Sequence, residues 1–473
     1  MKKAFMGVRL KRLREERRLT QAALASALGL SLSYLNQLEN NQRPLTVPVL
    51  LKLNAAFGVD VQLFSDDDEA RLIGDLREAL TDPAIGEQIA TAELRELAAS
   101  MPAVGRALVS LHRRYRGALE QSAALAARLG DDRQSALTSA VSTPFEEVRD
   151  FFYERHNHID PLDRAAEAIA RELGAAGGQA EAALIERLRD RHGIRVATFR
   201  PEGEEGGQRH FDVAEGVLRL SSHLGTGQRA FQIATQLAFL EHRDAIDGLV
   251  ATGRFGGEDS RRLARIGLAN YFAGALVLPY GEILAAAEAC RYDIELLGQR
   301  FGVGFETVCH RLSTLQRPGA QGVPFFFIRV DRAGNISKRQ SATDFHFSRV
   351  GGTCPLWNVY DAFVQPGRVL TQVARMPDDR TYLWVARSVS RARGGYHQPR
   401  KIFSVALGCD LRHAGRLVYA DGLDLGNADA ATPIGAGCRI CERPACPQRA
   451  FPPVGKPLHV DEQRSAFAPY AVK

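Results

Sequence analysis

The sequence predicts a multidomain protein that is mainly α-helical and ends in an α+β domain. Near the amino terminus, two short helix patterns flank Gly29. Residues 70–133 are rich in Ala, Leu, Arg and Glu with few turn residues, which predicts further helices. Beyond Arg317-Pro318-Gly319, apolar runs alternate with Gly, Pro and Asp turns, which is typical of β-strands. A chain of 473 residues with 45% hydrophobic residues is long enough for about three such domains.

Residues 20–40 carry the pattern of a helix-turn-helix. Thr20 and Ser31 stand where each helix would be capped, and Gly29 supplies the left-handed residue that ends the first helix. The apolar positions that would face inwards recur three or four residues apart, at Leu24 and Leu28 and at Leu35 and Leu38. Such a motif places its second helix in the major groove of DNA. We therefore predict a five-helix, lambda-repressor-like DNA-binding domain, with a generic helical hairpin as the alternative.

The polar side chains of this motif are the candidates for DNA contact, because they remain outside when the leucines are buried. We predict eight of them: Gln21, Ser31, Ser33, Tyr34, Asn36, Gln37, Asn40 and Arg43. Residues 1–64 hold ten Lys or Arg and four Asp or Glu, whereas the rest of the chain holds 51 of each sign. A basic end on a neutral body is what attraction to DNA phosphates requires. The expected partner is a double-stranded operator, bound by a homodimer or higher homo-oligomer.

The remaining chain predicts three further domains. The DNA-binding domain is expected to span residues 1–65, and an acidic break at 65–69 separates it from a helical connector over 66–142. A ligand-sensing domain is then expected over 143–320, and a cysteine-containing regulatory domain over 321–473. Apolar residues of the connector recur at helical spacing: Leu94, Leu97, Val104, Leu108 and Leu111. This stripe predicts the buried side of a small bundle, with a dimer contact as the alternative.

The composition also sets expectations for location. The sequence shows neither the apolar core of a signal peptide nor a run of about 18 apolar residues, so we expect a cytoplasmic protein without membrane contact. The seven cysteines are then expected as reduced thiols or metal ligands rather than as disulfides.

Residues 229–239 resemble the zinc-binding helix of the ImmA/IrrE metallopeptidases, in which a His-Glu-x-x-His run follows an Ile-Ala pair. The matching positions here are Thr235, Gln236 and Phe239, and the position of the third ligand, on a later helix, is Leu268. Thr and Phe cannot replace imidazole as zinc ligands, and Gln is not a base. The resemblance therefore implies a degenerate zincin-like domain without catalytic residues. We predict a small-molecule pocket lined by Thr235, Gln236, Phe239, Leu268 and Tyr271, with a filled core as the alternative.

The cysteines near the carboxyl end are candidates for a metal centre. Cys438, Cys441 and Cys446 lie within nine residues, and Cys354 and Cys409 precede them in the same β-rich region. From spacing alone, a structural zinc and an iron-sulfur cluster are equally compatible, because both take four thiolates. Proline directly after Cys446 and Cys354 favours iron. Two other cysteines, Cys290 and Cys309, lie in apolar helical surroundings and are expected in the core.

The order of these modules, together with Gly351-Gly352-Thr353-Cys354-Pro355-Leu356-Trp357 and the run from Cys438 to Pro453, resembles the short-chain fatty acyl transcriptional regulators. The resemblance covers essentially the whole chain. It implies DNA-binding control of propionate, acetate or related acyl-CoA metabolism, a CoA thioester as effector, and a [4Fe–4S] cluster in the C-terminal domain, with zinc as the alternative. Basic side chains at 261, 262 and 265 are candidate partners of the CoA phosphates.

Two other functions are compatible with parts of the pattern. A DNA-targeted metalloenzyme would need an open metal position and a nearby base, whereas four thiolates close the site. A zinc-stabilised phage-type repressor would share the first two modules, but the lost zinc ligands and the additional C-terminal domain disfavour it. We therefore predict a transcriptional regulator rather than an enzyme.

Overall fold

The structure is a computed structural model, and it falls into two compact units. Unit 1 combines the chain segments Met1–Val141, Asp344–Gly351 and Cys438–Lys473, and unit 2 combines Ser142–Thr343 and Gly352–Gly437. The structure describes residues 7–17, 19–40, 42–57, 66–81, 89–129, 144–174, 180–200, 207–342, 354–391, 396–397, 400–435, 437–438, 441, 443, 446–452 and 463.

The amino-terminal part of unit 1 is the predicted helix-turn-helix. Its helices are α1 (Gly7–Glu16), α2 (Gln21–Leu28), α3 (Leu32–Glu39) and α4 (Val47–Phe57). The Thr20 side chain accepts a hydrogen bond from Ala23 N at 3.1 Å, and Ser31 accepts one from Tyr34 N at 3.2 Å. Gly29 ends α2 with φ at 57°, in the left-handed region that favours glycine. These three local signals are confirmed, and leucines from all four helices form the core.

The sequence predicts five helices for this domain, and residues 58–65 lie outside its described part. Four helices lie among its described residues, which end at Phe57, and the next helix, α5 (Asp66–Leu80), packs with α6 (Thr91–Ser100) and α7 (Pro102–Leu129) instead. The acidic run is not a break but the first turn of α5. Carboxylates are favourable at a helix N-terminus, where the backbone dipole is positive.

The apolar stripe of the connector divides between the interior and the surface. Leu94 on α6 is buried in the core that α5, α6 and α7 share. On α7, however, Val104 is 48% exposed and Leu111 is 65% exposed. The stripe is therefore only partly the buried side of a bundle.

The first part of unit 2 is mostly helical and surrounds a small sheet. Its helices are α8 (Pro144–Tyr153), α9 (Asp160–Leu173), α10 (Ala180–His192), α11 (Thr226–Glu241), α12 (Arg243–Ala251), α13 (Glu258–Val277), α14 (Tyr280–Ala289), α15 (Ile294–Phe301) and α16 (Phe305–Leu312). Its strands are β1 (Arg195–Phe199), β2 (Arg209–Asp212) and β3 (Val217–Ser221). The central strand β3 pairs in parallel with β1 and antiparallel with β2.

The second part of unit 2 is a six-stranded mixed sheet with the order β5-β4-β8-β7-β6-β9. Its elements are β4 (Phe326–Val330), β5 (Ile336–Ser341), the short helix α17 (Asn358–Asp361), β6 (Leu370–Arg375), β7 (Thr381–Arg391), β8 (Lys401–Asp410) and β9 (Thr432–Pro433). Between β8 and β9 the chain forms 3-10 turns at Leu411–Arg416, Val418–Ala420 and Ala428–Ala430.

The two parts of unit 2 share one hydrophobic core, which runs from Phe151 to Ala420. Two tyrosines form hydrogen bonds with the main chain of the segment between the two parts. The Tyr280 hydroxyl accepts Arg317 N at 2.8 Å and donates to Ala320 O at 2.9 Å, and the Tyr292 hydroxyl accepts Val323 N at 3.0 Å. The predicted boundary between 320 and 321 thus falls inside a compact unit rather than between two.

No single described helix is long and apolar enough to cross a membrane. Only α13 and α14 together, which meet at a bend of 59°, satisfy the requirements of length and composition. Most apolar side chains of both helices belong to the core of unit 2, whereas Leu263 and Ile266 of α13 are exposed.

Candidate functional sites

The outer face of α3 presents the side chains that the sequence predicts for DNA contact. Five of the predicted residues are exposed and two are half-buried: Ser31, Ser33, Asn36, Asn40 and Arg43 are exposed, and Tyr34 and Gln37 are half-buried. The Asn40 amide donates to Asn36 Oδ1 at 2.9 Å, and the Arg43 guanidinium lies 5.7 Å from the centre of the Tyr34 ring. These contacts limit the rotamers of the polar face, which favours a defined set of groove contacts.

Gln21, the eighth predicted residue, is held by a buried carboxylate. Its Nε2 donates to Glu39 Oε2 at 2.7 Å, and Arg14 Nε donates to Glu39 Oε1 at 2.7 Å. Glu39 is 3% exposed, so this charge is compensated inside the domain. The contacts join α1, α2 and α3. Sequence reasoning missed Arg14 and Glu39, although Glu39 is the single charged residue of positions 20–40 and was a signal for a structural ion pair.

The Gln37 amide on α3 gives a test of base recognition. Gln37→Ala is expected to cost about 1 to 3 kcal/mol on an operator fragment selected by the wild-type protein from random duplexes, because an amide can pair with a base edge in the major groove. Arg43→Ala is expected to weaken binding to selected and random DNA alike and to reduce the salt dependence, because a guanidinium pairs with phosphate.

Fluorescence anisotropy with both DNAs at several salt concentrations measures these losses. The matched control is Gln299→Ala on the exposed surface of α15 in unit 2, which should leave both affinities unchanged. Equal losses on selected and random DNA for Gln37→Ala would rule out its base-reading role.

The helix that resembles a zinc-binding helix is α11, and it packs along α13. Thr235 is buried, and its hydroxyl donates to Phe231 O at 2.8 Å and lies 3.4 Å from Asn270 Oδ1. Gln236 is 6% exposed, and Phe239 is half-buried. None of these three side chains is an imidazole, so they cannot hold a zinc ion as the peptidase helix does.

Two of the predicted pocket residues lie in the core instead. Leu268 is fully buried, and the Tyr271 hydroxyl donates to Asp163 Oδ2 at 2.6 Å and accepts Ile159 N at 3.0 Å. Because the polar atom of Tyr271 is already used, these two residues are structural. At these two positions the structure corresponds to the filled-core alternative, and the pocket as a whole stays a prediction.

Asp163 joins three helices of unit 2. On α9 it accepts hydrogen bonds from Tyr271 of α13 and from Arg311 of α16, whose Nη2 lies 2.6 Å from Asp163 Oδ1. His158 Nδ1 lies 3.2 Å from the other carboxylate oxygen. Burial alone would raise the pKa of Asp163, but the Arg311 charge and these hydrogen bonds outweigh it and hold the pKa well below its usual value. Sequence reasoning missed this cluster, since its members are far apart in the chain.

The three arginines predicted to meet CoA phosphates are already paired. Arg265 Nε lies 2.6 Å from Asp247 Oδ1, and Arg261 and Arg262 lie within 4 Å of Glu258. Their charges are therefore partly compensated on the protein surface.

The predicted metal ligands lie in both units. In unit 1, Cys441 is buried and Cys438 and Cys446 are half-buried, and in unit 2, Cys354 and Cys409 are buried. All the cysteines are free thiols. Within the described part of the chain, no three His, Cys, Asp or Glu side chains are grouped as metal ligands. The grouping of these cysteines around a metal stays a prediction.

Their surroundings distinguish the cysteines from one another. Cys409 lies on β8 opposite Leu383, and burial raises the pKa of its thiol to about 12. Burial also raises the pKa of Cys309 well above its usual value, in the hydrophobic core. Cys290 is half-buried against the same core. These three environments favour the protonated thiol, which is a poor metal ligand.

A buried arginine organises the cysteine segment of unit 1. Arg449 is 4% exposed, and its guanidinium donates to Cys438 O at 3.2 Å, to Cys441 O at 3.1 Å and also to Arg443 O. Its Nε has no hydrogen-bond partner, and no carboxylate pairs with it among the described residues. A buried cation without an anion is unfavourable. Thiolates of the neighbouring cysteines would supply the missing negative charge.

Comparison with known proteins extends over the whole chain. A model of the short-chain fatty acyl coenzyme A regulator C-terminal domain matches residues 314–470, an IrrE N-terminal-like domain matches 189–313, and a helix-turn-helix matches 10–64. The resemblance of the middle domain to the IrrE metallopeptidases is confirmed by this match.

Several curated proteins are similar over nearly their full length. The chain is 53% identical over 469 residues to the HTH-type transcriptional regulator PrpR of Mycobacterium tuberculosis, with 99% of this chain and 96% of that protein covered. It is 50% identical over 475 residues to RamB of the same species, with 100% of both covered. It is 44% identical over 470 residues to the propionyl-CoA carboxylase regulator of Cereibacter sphaeroides, with 99% of each covered.

A solved structure is also similar. A Mycobacterium tuberculosis transcriptional regulator matches with a TM-score of 0.67 and 56% identity, covering 70% of this chain and 99% of that chain. Both sets of relatives are named as regulators of transcription.

Proposed function

The chain belongs to the short-chain fatty acyl coenzyme A regulator family and is a DNA-binding transcriptional regulator, and we propose that it controls genes of propionyl-CoA or related acyl-CoA metabolism in response to a CoA thioester. The observation that carries this proposal is the similarity to a propionyl-CoA carboxylase regulator, at 44% identity over 99% of both proteins. A relative that shares every domain is a better guide to the effector than one that shares only the fold.

On this proposal, α3 reads the operator and the basic amino-terminal domain supplies attraction to phosphate. One recognition helix buries too little surface to choose among genomic sites, so a homodimer on paired half-sites about one helical turn apart provides the specificity. The effector acts by binding more tightly to one of the two states, DNA-bound or free, and thereby changes the operator affinity.

A CoA thioester is expected to stabilise the protein and to change its affinity for the operator. Propionyl-CoA at about 100 times its Kd should add about 2.7 kcal/mol to the free energy of unfolding, because a ligand that binds only the folded state stabilises it by mass action. Thermal unfolding with propionyl-CoA, acetyl-CoA and free CoA, followed by anisotropy with a selected operator, measures both effects. Unchanged melting temperature and unchanged operator affinity with both thioesters would contradict the proposal.

We also propose a thiolate metal centre at Cys438, Cys441 and Cys446, completed by a fourth cysteine. The donor set fits such a centre, since three thiols lie in nine residues beside the buried guanidinium of Arg449. Because the three side chains are not grouped as ligands, metal binding itself would draw them together, as in other metal-dependent folds. The sequence offers two candidates for the fourth ligand, Cys354 and Cys409. A [4Fe–4S] cluster held there would supply a redox response.

A further inference from the structure

Arg209 in unit 2 is a half-buried cation without an anionic partner among the described residues. Arg209, on β2, is close to no carboxylate among the residues that the structure describes, and desolvation lowers the pKa of its guanidinium. By contrast, Arg219, on β3 of the same sheet, pairs with Asp212 and Glu215. Partly buried charges are normally paired, because an isolated charge loses its hydration and gains no ion pair in exchange. Arg209 is therefore unfavourable for the unliganded protein.

The location of Arg209 links this charge to the degenerate zinc helix. Its guanidinium lies 5.6 Å from the centre of the Phe239 ring and 3.5 Å from Gln232 O on α11. Phe239 occupies the position of the second zinc-binding His in the related peptidases. The guanidinium thus stands against the helix face where those peptidases carry a divalent cation.

The same helix face offers a polar group with unused hydrogen-bonding capacity. Gln232, Gln236 and Phe239 recur three or four residues apart, so they lie on one face of α11. Gln236 is 6% exposed, and within the described part of the chain its amide has no hydrogen-bond partner. Its amide donors and carbonyl acceptor can therefore bind a ligand at this face.

We propose that Arg209 is the anion-binding residue of the effector site and takes the place of the lost metal as its positive centre. The ligand group is an anionic oxygen, from a CoA phosphate or from a free short-chain carboxylate. This inference rests on the proposed function, since it assigns a recognition residue for the effector. A guanidinium suits both anions because its parallel N–H donors match two oxygens at once.

Arg209→Gln tests this assignment, with Arg219→Gln as the matched control on the neighbouring strand. Isothermal titration with propionyl-CoA, free CoA and sodium propionate should show that Arg209→Gln weakens at least one of them by roughly 10- to 100-fold, the size of a charge-assisted hydrogen bond. Loss of propionyl-CoA and CoA binding together identifies the phosphate as the bound anion. Loss of propionate binding alone identifies the carboxylate. Arg219→Gln should bind all three as the wild type does.

A thermal scan without ligand separates this role from a structural one. Burial removes hydration from the Arg209 charge, and no carboxylate among the described residues compensates that loss. The Arg209→Gln variant should therefore melt at the same temperature as the wild type or at a higher one. Unchanged affinity for all three probes in a folded Arg209→Gln protein would overturn the inference, even where wild-type binding of propionyl-CoA upholds the proposed function. Conversely, wild-type protein that binds propionate through Arg209 but no CoA thioester would overturn the proposed effector and leave the anion site intact.

Discussion

Replacing Asp163 by Asn is expected to lower the free energy of unfolding by about 3 to 5 kcal/mol, the cost of leaving a buried charge without its partner. Arg311 is 2% exposed and faces Asp163 across a 2.6 Å contact. An amide in place of the carboxylate keeps the shape but leaves the guanidinium uncompensated. The effect should appear in unit 2, because Asp163 joins α9, α13 and α16 there.

Tryptophan fluorescence during denaturant unfolding of the full chain measures this loss of stability in unit 2. The chain has two tryptophans, Trp357 and Trp384, and both are buried in unit 2. The matched control is Asp421→Asn, which breaks the exposed pair with Arg291 and should barely change the midpoint.

The dependence on pH gives a second check of the same ion pair. Since the folded-state pKa of Asp163 lies below its unfolded value, the pair contributes fully above pH about 4 and its contribution is lost as the pH falls through the folded-state pKa. The stability difference between wild type and Asp163→Asn should therefore narrow in acid. A difference that is small at pH 7, or constant at all pH values, would show that Asp163 does not stabilise Arg311.

The parts of the fold that sequence reasoning predicted depend on local signals. Thr20, Gly29 and Ser31 act within three residues of themselves, so the two helices of the DNA-binding motif follow from the sequence alone. The edge strand β5 was missed because its sequence, Ile336-Ser337-Lys338-Arg339-Gln340-Ser341, contains a single apolar residue. This segment is a strand because it pairs with β4, and the pairing is not visible in its own apolar pattern.

Contacts between residues that are far apart in the chain could not be predicted from local sequence signals. Asp163 and Arg311 are 148 residues apart, and neither lies in a recognisable motif. The same holds for Arg209, whose contacts with Phe239 and Gln232 appear only when β2 is placed beside α11. The family pattern identified the position of the degenerate site, but the charges that surround it depend on tertiary packing.

Cys441→Ser is expected to abolish stoichiometric metal binding, whereas Cys290→Ser should keep it. Cys441 is buried, and its main-chain carbonyl is held by Arg449, so its side chain cannot easily be replaced by another ligand. Cys290 packs against the core of unit 2, where burial raises the pKa of its thiol. Iron, zinc and sulfide analysis of anaerobically purified protein, with its visible absorbance, measures the outcome. Cys354→Ser and Cys409→Ser in the same assay identify the fourth ligand.

Arg449→Met extends this prediction from the ligands to the residue that positions them. The variant removes the donors to Cys438 O and Cys441 O and the positive charge beside the thiolates. It should weaken metal affinity about 10- to 100-fold, as the loss of a supporting contact to a ligand does. Competition with a chelator measures that change, and the reduction potential should fall, because a cation stabilises the reduced, more negative cluster. Stoichiometric zinc without iron in the wild type would refute the redox role, while equal metal affinity in Arg449→Met would refute the positioning role.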